Sequence, residues 1–518
     1  MSIPPFIIKI YKPFFSHWLT KLINLSFITG NFPDVLKLAK VTPIHKKESK
    51  LDYLNYRPIS LLSVISKIYE KSIYTRVYDY LTINKLISPK QFGFRSKHST
   101  NHASISITEQ IKSLMDDNNV VCGIFIDLEK AFDTVNHKIL VDKLNQYGLR
   151  GNVNKLIESY LSNRKQYVSI KGFDSNIQDV DCGVPQGSSL GPLLFLIYIN
   201  DFRLCLDNLD SGHFADDTYL LYGGKKLKTI ETIVNTELKN VSKWLRLNKL
   251  SLNAGKTEVI FFRHTRHLLN NILNTNLHNI SIKLNGKKLK MVDSVKYLGI
   301  HIDKNLSWDS HIQQLTKKLS RANGIISKLR HFAPRNVCLN VYYALFYSQL
   351  NYCCTVWGMT SQENLNKLQV LQNKCLRIIT FSDFRCHANP LYMDLNILKV
   401  RDVIKLNHLK LTYEFHNKIL PEDINKLFNY CSTIHTTNLE LNSSRKNCIF
   451  IPTIQTAHSG NNSLKYHCAV LWNDFMTKKK YLKKNSNSQN FVNIDSIHHV
   501  HTFKKIIRNH FQNIYSLE

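Results

Sequence analysis

"SGHFADDTYLLYGG", residues 211–224, is the stretch whose reading decides the fold. Two short apolar runs flank a pair of adjacent carboxylates, Asp216 and Asp217, so the segment reads as strand, turn, strand with the acids at the bend. Like charges side by side resist desolvation, so near a core they require solvent or a cation. A solvated turn meets that requirement and is the common use of turn aspartates. Asp116-Asp117, in the polar "MDDNNV", is read in that way. For the pair at 216–217 the surroundings decide.

Upstream, "VVCGIFID" (120–127) is a continuous apolar, β-branched run, the pattern of a strand buried on both faces, and it ends in Asp127. An antiparallel sheet that pairs this strand with the hairpin brings Asp127, Asp216 and Asp217 to one edge. "SVISKIYEKSIYTRVYDYL" and "NHKILVDKLNQYG" have helical spacing, the second closed by Gly148. "AKVTPIHKK" and "KQYVSI" are strand-like, and the loop "DCGVPQGSSLGP" runs into an apolar helix, "LLFLIYINDF". Residues 227–245 carry a core-facing helical stripe. "TEVIFF" and "VKYLGIHI" are further strands, separated by the hairpin signal "LNGKKL". Beyond about residue 305 the periodicity is helical, which places a boundary there. The basic, low-complexity tail after 478 is expected to be a mobile connection to a last helix, "HTFKKIIRNHF".

With 518 residues the chain is too long for one ordinary core, and a hydrophobic content of 43% excludes a disordered protein. Its net charge of +31 comes from 69 Lys and Arg against 38 Asp and Glu, spread along the whole length. Such a charge repels itself unless it meets a polyanion, and nucleic acid is the first candidate. Anionic membrane is the second, but no lipidation signal or compact basic amphipathic helix is read, and "PLLFLIYI" is too short to span a bilayer. The N-terminus has no cleavage site of the signal-peptide type. Eleven scattered cysteines without a C-x-x-C point to reduced thiols and an intracellular protein. Cys431, His435 and Cys448, or His467 and Cys468, lack the spacing of a zinc finger.

Carboxylates on rigid strands suit a pair of Mg²⁺ ions, which activate an attacking hydroxyl and bridge phosphate oxygens. At this point a resemblance is extensive. "GIFIDLEKAFDTVNH", "GVPQGSSLGPLLFLIYINDF", "FADDT", "LNKLSLNAGKTEVIFF" and "KYLGI" resemble, in order and spacing, the palm motifs of reverse transcriptases of jockey-like non-LTR retrotransposons. "LNYRPISLLSVISKIYEK" and "QFGFRSKHST" are similar to the fingers segments of that family.

The resemblance implies an α+β, right-hand polymerase fold. Its fingers would be helical, its palm an antiparallel sheet of RRM or ferredoxin-like type, and its thumb and C-terminal region mainly α-helical. It divides the chain into a remnant of an N-terminal extension (1–26), fingers and palm (27–304), thumb (305–380) and a C-terminal region of unclear role (381–518). It implies RNA-directed DNA polymerase activity with two Mg²⁺ ions, Mn²⁺ being a substitute. Asp127, Asp216, Asp217 and the Leu128 carbonyl would hold the metals, and Lys256 of "NAGKTE" would meet the leaving pyrophosphate. Phe132 would be the steric gate against a 2′-hydroxyl, with Gln186 and Gly187 at the incoming nucleotide. Arg57, Lys46 or Lys47, and Arg95 would bind triphosphate or template. Tyr297, Leu298 and Gly299 would form a primer grip, Tyr297 offering an aromatic surface. Lys317, Lys318, Arg321, Lys328 and Arg330 would grip duplex phosphates.

The implied partners are RNA template, DNA primer and deoxynucleoside triphosphates, in nucleus and cytoplasm, without membrane. The chain is expected to start within the polymerase's N-terminal extension, so target cleavage falls to a separate endonuclease; an element RNA-binding protein is a further partner. The alternative is a truncated, non-catalytic nucleic-acid-binding remnant, which mutated acids would have favoured. A host polymerase related to telomerase or a group II intron maturase fits the motifs less well.

Overall fold

The computed structural model describes residues 3–46, 49–117, 119–253, 255–264, 280–434, 447–452, 463–478, 497 and 499–515. Lys47, His435 and the basic tail after 478 lie outside them. Val120–Ile126 is the centre of the principal sheet, fully buried along its length. On one side it pairs antiparallel with Asp217–Gly224, which in turn pairs with Asp210–Phe214; on the other it pairs antiparallel with Glu258–Phe262. Taking these four strands in chain order, the sheet runs fourth, first, third, second, the order of a ferredoxin-like β-α-β-β-α-β unit. A two-residue strand, Lys290–Met291, adds a parallel edge.

Alternation along the central strand explains its burial. Val121 and Phe125 enter one core with the Thr100–Asp116 helix and the helices after 309. Cys122, Ile124 and Ile126 enter the other, with Val64–Ile83, His137–Gln146, Asn152–Leu161, Gly191–Ile199 and Leu227–Leu247. Both faces being covered by helices, polar alternation is absent from the strand. The first core is continuous from Phe92 to Tyr515, so the helices after 309 share apolar packing with the sheet.

The segment expected as helical fingers also holds a second sheet. Leu38–His45 pairs antiparallel with Tyr56–Leu61 and parallel with Arg164–Ile170. "VKYLGIHI", expected as one strand, is a hairpin of Ser294–Tyr297 and Ile300–Asp303. Its turn consists of Leu298 at φ 44° and Gly299 at φ 86°. Positive φ at both central positions gives the twist of a type I′ turn, which periodicity alone does not report. Near the N-terminus, Pro5–Ile10 and Lys12–Thr29 are helices that the aromatic-rich sequence did not announce, and the expected division at 26/27 falls inside the second. None of the eleven cysteines is in a disulfide. Among the described residues no helix is long and apolar enough to cross a membrane.

Candidate functional site

The register of the sheet assembles the acids. Ile126 faces Thr218, and Phe214 faces Asp217 across a two-residue turn of Ala215 and Asp216. Asp127, one residue beyond the last pair, thus emerges beside Asp217 at the same end of the sheet. The Asp127 carbonyl accepts the Asn253 N–H at 2.9 Å, and Leu128 is bridged to Leu252, which pins the strand exit to the loop carrying Lys256. Lys256 Nζ lies 3.9 Å from Asp127 Oδ2, both side chains being solvent-accessible.

The acids act on one another. Burial first, and then the charge of Asp127, raises the Asp216 carboxyl above its usual range, while Lys46 and Arg57 pull it back. Asp217, open to solvent on one side and desolvated by protein on the other, is pushed up to about 6 by burial and by Asp216 and Asp127. Among the described residues no three His, Cys, Asp or Glu side chains are drawn together as a closed metal-binding group. The donor set nevertheless fits a divalent cation: three carboxylates, two of them raised by burial and by the charge of their neighbours, are relieved by added positive charge.

Around the acids, Phe132 is half-buried, stacked on Phe195 with centroids 4.6 Å apart and edge-on to Phe94 at 6.1 Å. Its carbonyl accepts the Val184 N–H at 2.8 Å, joining it to the Gly183–Ser189 loop. In that loop Gln186 Nε2 donates to Asp133 Oδ1 at 2.9 Å, and the Gln186 carbonyl accepts the Ser60 N–H at 2.7 Å. Gly187 has φ 120°, and a Cβ there would sit 2.6 Å from the Ser60 carbonyl oxygen. The loop is therefore seated on the Tyr56–Leu61 strand, which also carries Arg57.

Residues 44–302, half of the chain, match the family model for reverse transcriptase (RNA-dependent DNA polymerase). The chain belongs to the reverse transcriptase family. It is similar to the RNA-directed DNA polymerase from mobile element jockey of Drosophila melanogaster, 27% identical over 424 residues, covering 79% of this chain and 44% of the relative. The probable RNA-directed DNA polymerase from transposon BS of the same organism is 30% identical over 408 residues, covering 75% of this chain and 43% of the relative. The chain spans less than half the length of these curated relatives. Apo telomerase from Candida Tropicalis superimposes at 14% identity with a TM-score of 0.41, over 81% of this chain and 70% of that one, too loose a likeness to carry an argument. The jockey-like resemblance read from the motifs is borne out.

In this chain the structure gathers Asp127, Asp216, Asp217, Lys256, Lys46 and Arg57, and sets Phe132, Gln186 and Gly187 on adjoining turns. Other expectations meet different surroundings. Tyr297 offers no aromatic surface: it is 3% exposed, edge-on to Phe125 and Tyr219, with a hydroxyl that lacks a partner among the described residues. It is buried because it alternates inward on its strand, whereas Leu298 and Gly299 form the turn, held by a 2.6 Å bond from the Tyr352 hydroxyl to the Leu298 carbonyl. Arg95 is half-buried and donates to the carbonyls of Ser88 and Gln91 at 2.8 and 3.1 Å, so its guanidinium braces its own loop. Lys317, Lys318, Arg321 and Lys328 are exposed on the Asp309–Leu329 helix, but Arg330 lies over the Phe381 ring and donates to the Ile378 carbonyl.

Three supporting residues escaped the sequence reading. Glu70, fully buried and raised above its usual range by desolvation, accepts the Ser189 N–H at 2.7 Å and the Tyr160 hydroxyl at 2.9 Å. Asp133 anchors Gln186 and is raised in the same direction by burial. Gln91 Oε1 accepts the N–H groups of Gly93 and Ala215. The signal for Glu70 was present: it is a charge on the core-facing stripe of its helix, between Tyr69 and Ile73.

Proposed function

We propose that the chain is the RNA-directed DNA polymerase of a non-LTR retrotransposon, adding deoxynucleotides to a primer 3′-hydroxyl on an RNA template. The observation that carries this reading is the convergence of Asp127, Asp216 and Asp217 at one sheet end, with Lys256, Lys46 and Arg57 facing them. In the reaction the primer 3′-oxygen bonds to the α-phosphorus, the bond from that phosphorus to the bridging oxygen breaks, and pyrophosphate leaves. Asp127, Asp216 and Asp217, with the Leu128 carbonyl, would hold two Mg²⁺ ions, or Mn²⁺ in their place, which when bound lower the hydroxyl pKa and neutralise phosphate charge.

The chain's own groups do the rest. Lys46 and Arg57 hold the triphosphate by charge-assisted hydrogen bonds. Lys256 neutralises or protonates the departing pyrophosphate. Phe132 lies under the sugar and excludes a 2′-hydroxyl, while Gln186 meets the nascent base pair where Gly187 lets the backbone approach. Leu298 and Gly299 present a turn to the primer end. The exposed lysines of the Asp309–Leu329 helix act as a thumb surface for duplex phosphates. Fingers and palm end at residue 304, and the thumb runs to 380. The net charge of +31 suits an intracellular ribonucleoprotein with its template RNA.

The test is primer extension on poly(rA)/oligo(dT) with dTTP and Mg²⁺. The wild-type chain is expected to extend the primer and Asp216→Ala/Asp217→Ala to fail. Folded wild-type protein that binds the duplex without extending it overturns the reading in favour of a binding remnant.

A further inference from the structure

The helices after 380 reach back to the catalytic turn along a chain of direct contacts. Asp423, on the short Glu422–Asn425 helix, accepts the Ser106 hydroxyl at 2.5 Å and pairs with Lys90 Nζ at 2.7 Å. Ser106 is buried on the Thr100–Asp116 helix, which packs on the catalytic sheet. Lys90 begins a strap, Lys90–Gly93, laid along the strand that leads into the acids. The Lys90 carbonyl accepts the His213 N–H at 2.9 Å, and the His213 carbonyl accepts the Phe92 N–H at 2.8 Å.

The strap ends on the turn itself. Gln91 is buried, and its Oε1 accepts both the Gly93 N–H at 2.9 Å and the Ala215 N–H at 3.0 Å. Ala215 immediately precedes Asp216 and has φ 57°, a conformation disfavoured for alanine. Gly93 approaches so closely that a Cβ there would collide with the Ala215 backbone. An unfavourable backbone persists only where its surroundings hold it, and here the holding groups are Gln91 and Gly93. Their strap is in turn fastened by the Lys90–Asp423 pair.

We infer that Asp423 is a positioning residue for the polymerase acids: through Lys90 and Gln91 the C-terminal region fixes the Ala215 turn and so the place of Asp216. The inference rests on the polymerase reading and gives the C-terminal region a role within it. The Asp423 carboxylate acts through Lys90 and Ser106. It ties together the strap and the Thr100–Asp116 helix, the two supports of the hairpin, from a point 317 residues away in sequence from Ser106.

The experiment uses the full chain and four variants: Asp423→Asn, Asp423→Lys, Lys90→Glu, and the swap Lys90→Glu/Asp423→Lys. Asp423→Asn keeps the acceptor for Ser106 and removes only the charge that Lys90 meets. It should lower kcat for primer extension about tenfold, as small misplacements of reacting groups do, leaving KM for dTTP, duplex affinity and Tm unchanged. The single reversals should be slower still, and the swap should recover most of the rate. Equal kcat in all variants overturns the inference; so does a loss of kcat, duplex affinity and Tm in parallel that the swap does not restore. Hydrogen exchange of the Ala215 amide reads the strap without catalysis. Faster exchange in Asp423→Asn supports it, and unchanged exchange overturns it even if wild type extends primers. Faster exchange together with a wild type that never extends overturns the polymerase reading alone.

Discussion

Phe132 is held at three points: its ring on Phe195, its edge toward Phe94 and its carbonyl on Val184. The proposed gate role needs a ring that does not swing, and these contacts hold the half-buried Phe132 in place. Phe132→Val is therefore expected to reduce discrimination against ribonucleotides by about tenfold or more, read as the ratio of kcat/KM for dTTP and UTP. Unchanged discrimination sinks the gate assignment. Tyr297 poses the opposite case. Its hydroxyl is buried without a partner, so Tyr297→Phe keeps the packed ring and removes an unsatisfied group. Chemical denaturation should find the variant equal to wild type or up to about 1 kcal/mol more stable. A clear loss of stability would mean that the hydroxyl has a partner in solution.

At the scale of elements, the Gly183–Ser189 loop depends on two features of different legibility. The glycine- and proline-rich sequence marks close backbone approach, and Gly187 at φ 120° against Ser60 supplies it. The polar supports, Glu70 under Ser189 and Asp133 under Gln186, come from other elements. Gly187→Ala should lift the loop from the Tyr56–Leu61 strand, costing about 1–3 kcal/mol in chemical denaturation and raising KM for dTTP. An alanine variant with wild-type stability and KM would show that the loop is not seated there. The hairpin at Leu298–Gly299 carries the same lesson: "KYLGI" reads as a run of strand residues, and only the two positive φ values reveal the reversal.

The whole molecule carries a pH dependence set by buried imidazoles. His213, His311 and His408 are each pushed down to about 4, chiefly by burial, from the ordinary value near 6.5. The unfolded chain takes up these protons first as pH falls, so stability is lost as acidity passes 6.5 and the loss is complete below about 4. Each site contributes about 1–2 kcal/mol at pH 5. Glu70 and Asp133, raised by burial, work in the opposite sense at the acid end of that window. Tm measured between pH 7 and 5 should fall, and His408→Gln should flatten the fall. A Tm independent of pH over that range would contradict the neutral, buried imidazoles.

Sequence alone determined the features that depend on residue type at short spacing. A β-branched run ending in Asp127, a strand–turn–strand segment carrying Asp216 and Asp217, and the glycines of the loop at 183–191 each express a local physical requirement. Tertiary structure decided the rest: the register that sets Ile126 opposite Thr218, the inward turn of Tyr297, and the roles of Glu70, Gln91 and Asp423. A buried polar side chain is defined by the partner that satisfies it, and periodicity records which face is covered but never by what. Ser189 and Tyr160 for Glu70, Ala215 for Gln91, and Ser106 and Lys90 for Asp423 come from elsewhere in the chain, so only the folded chain brings them within hydrogen-bonding distance.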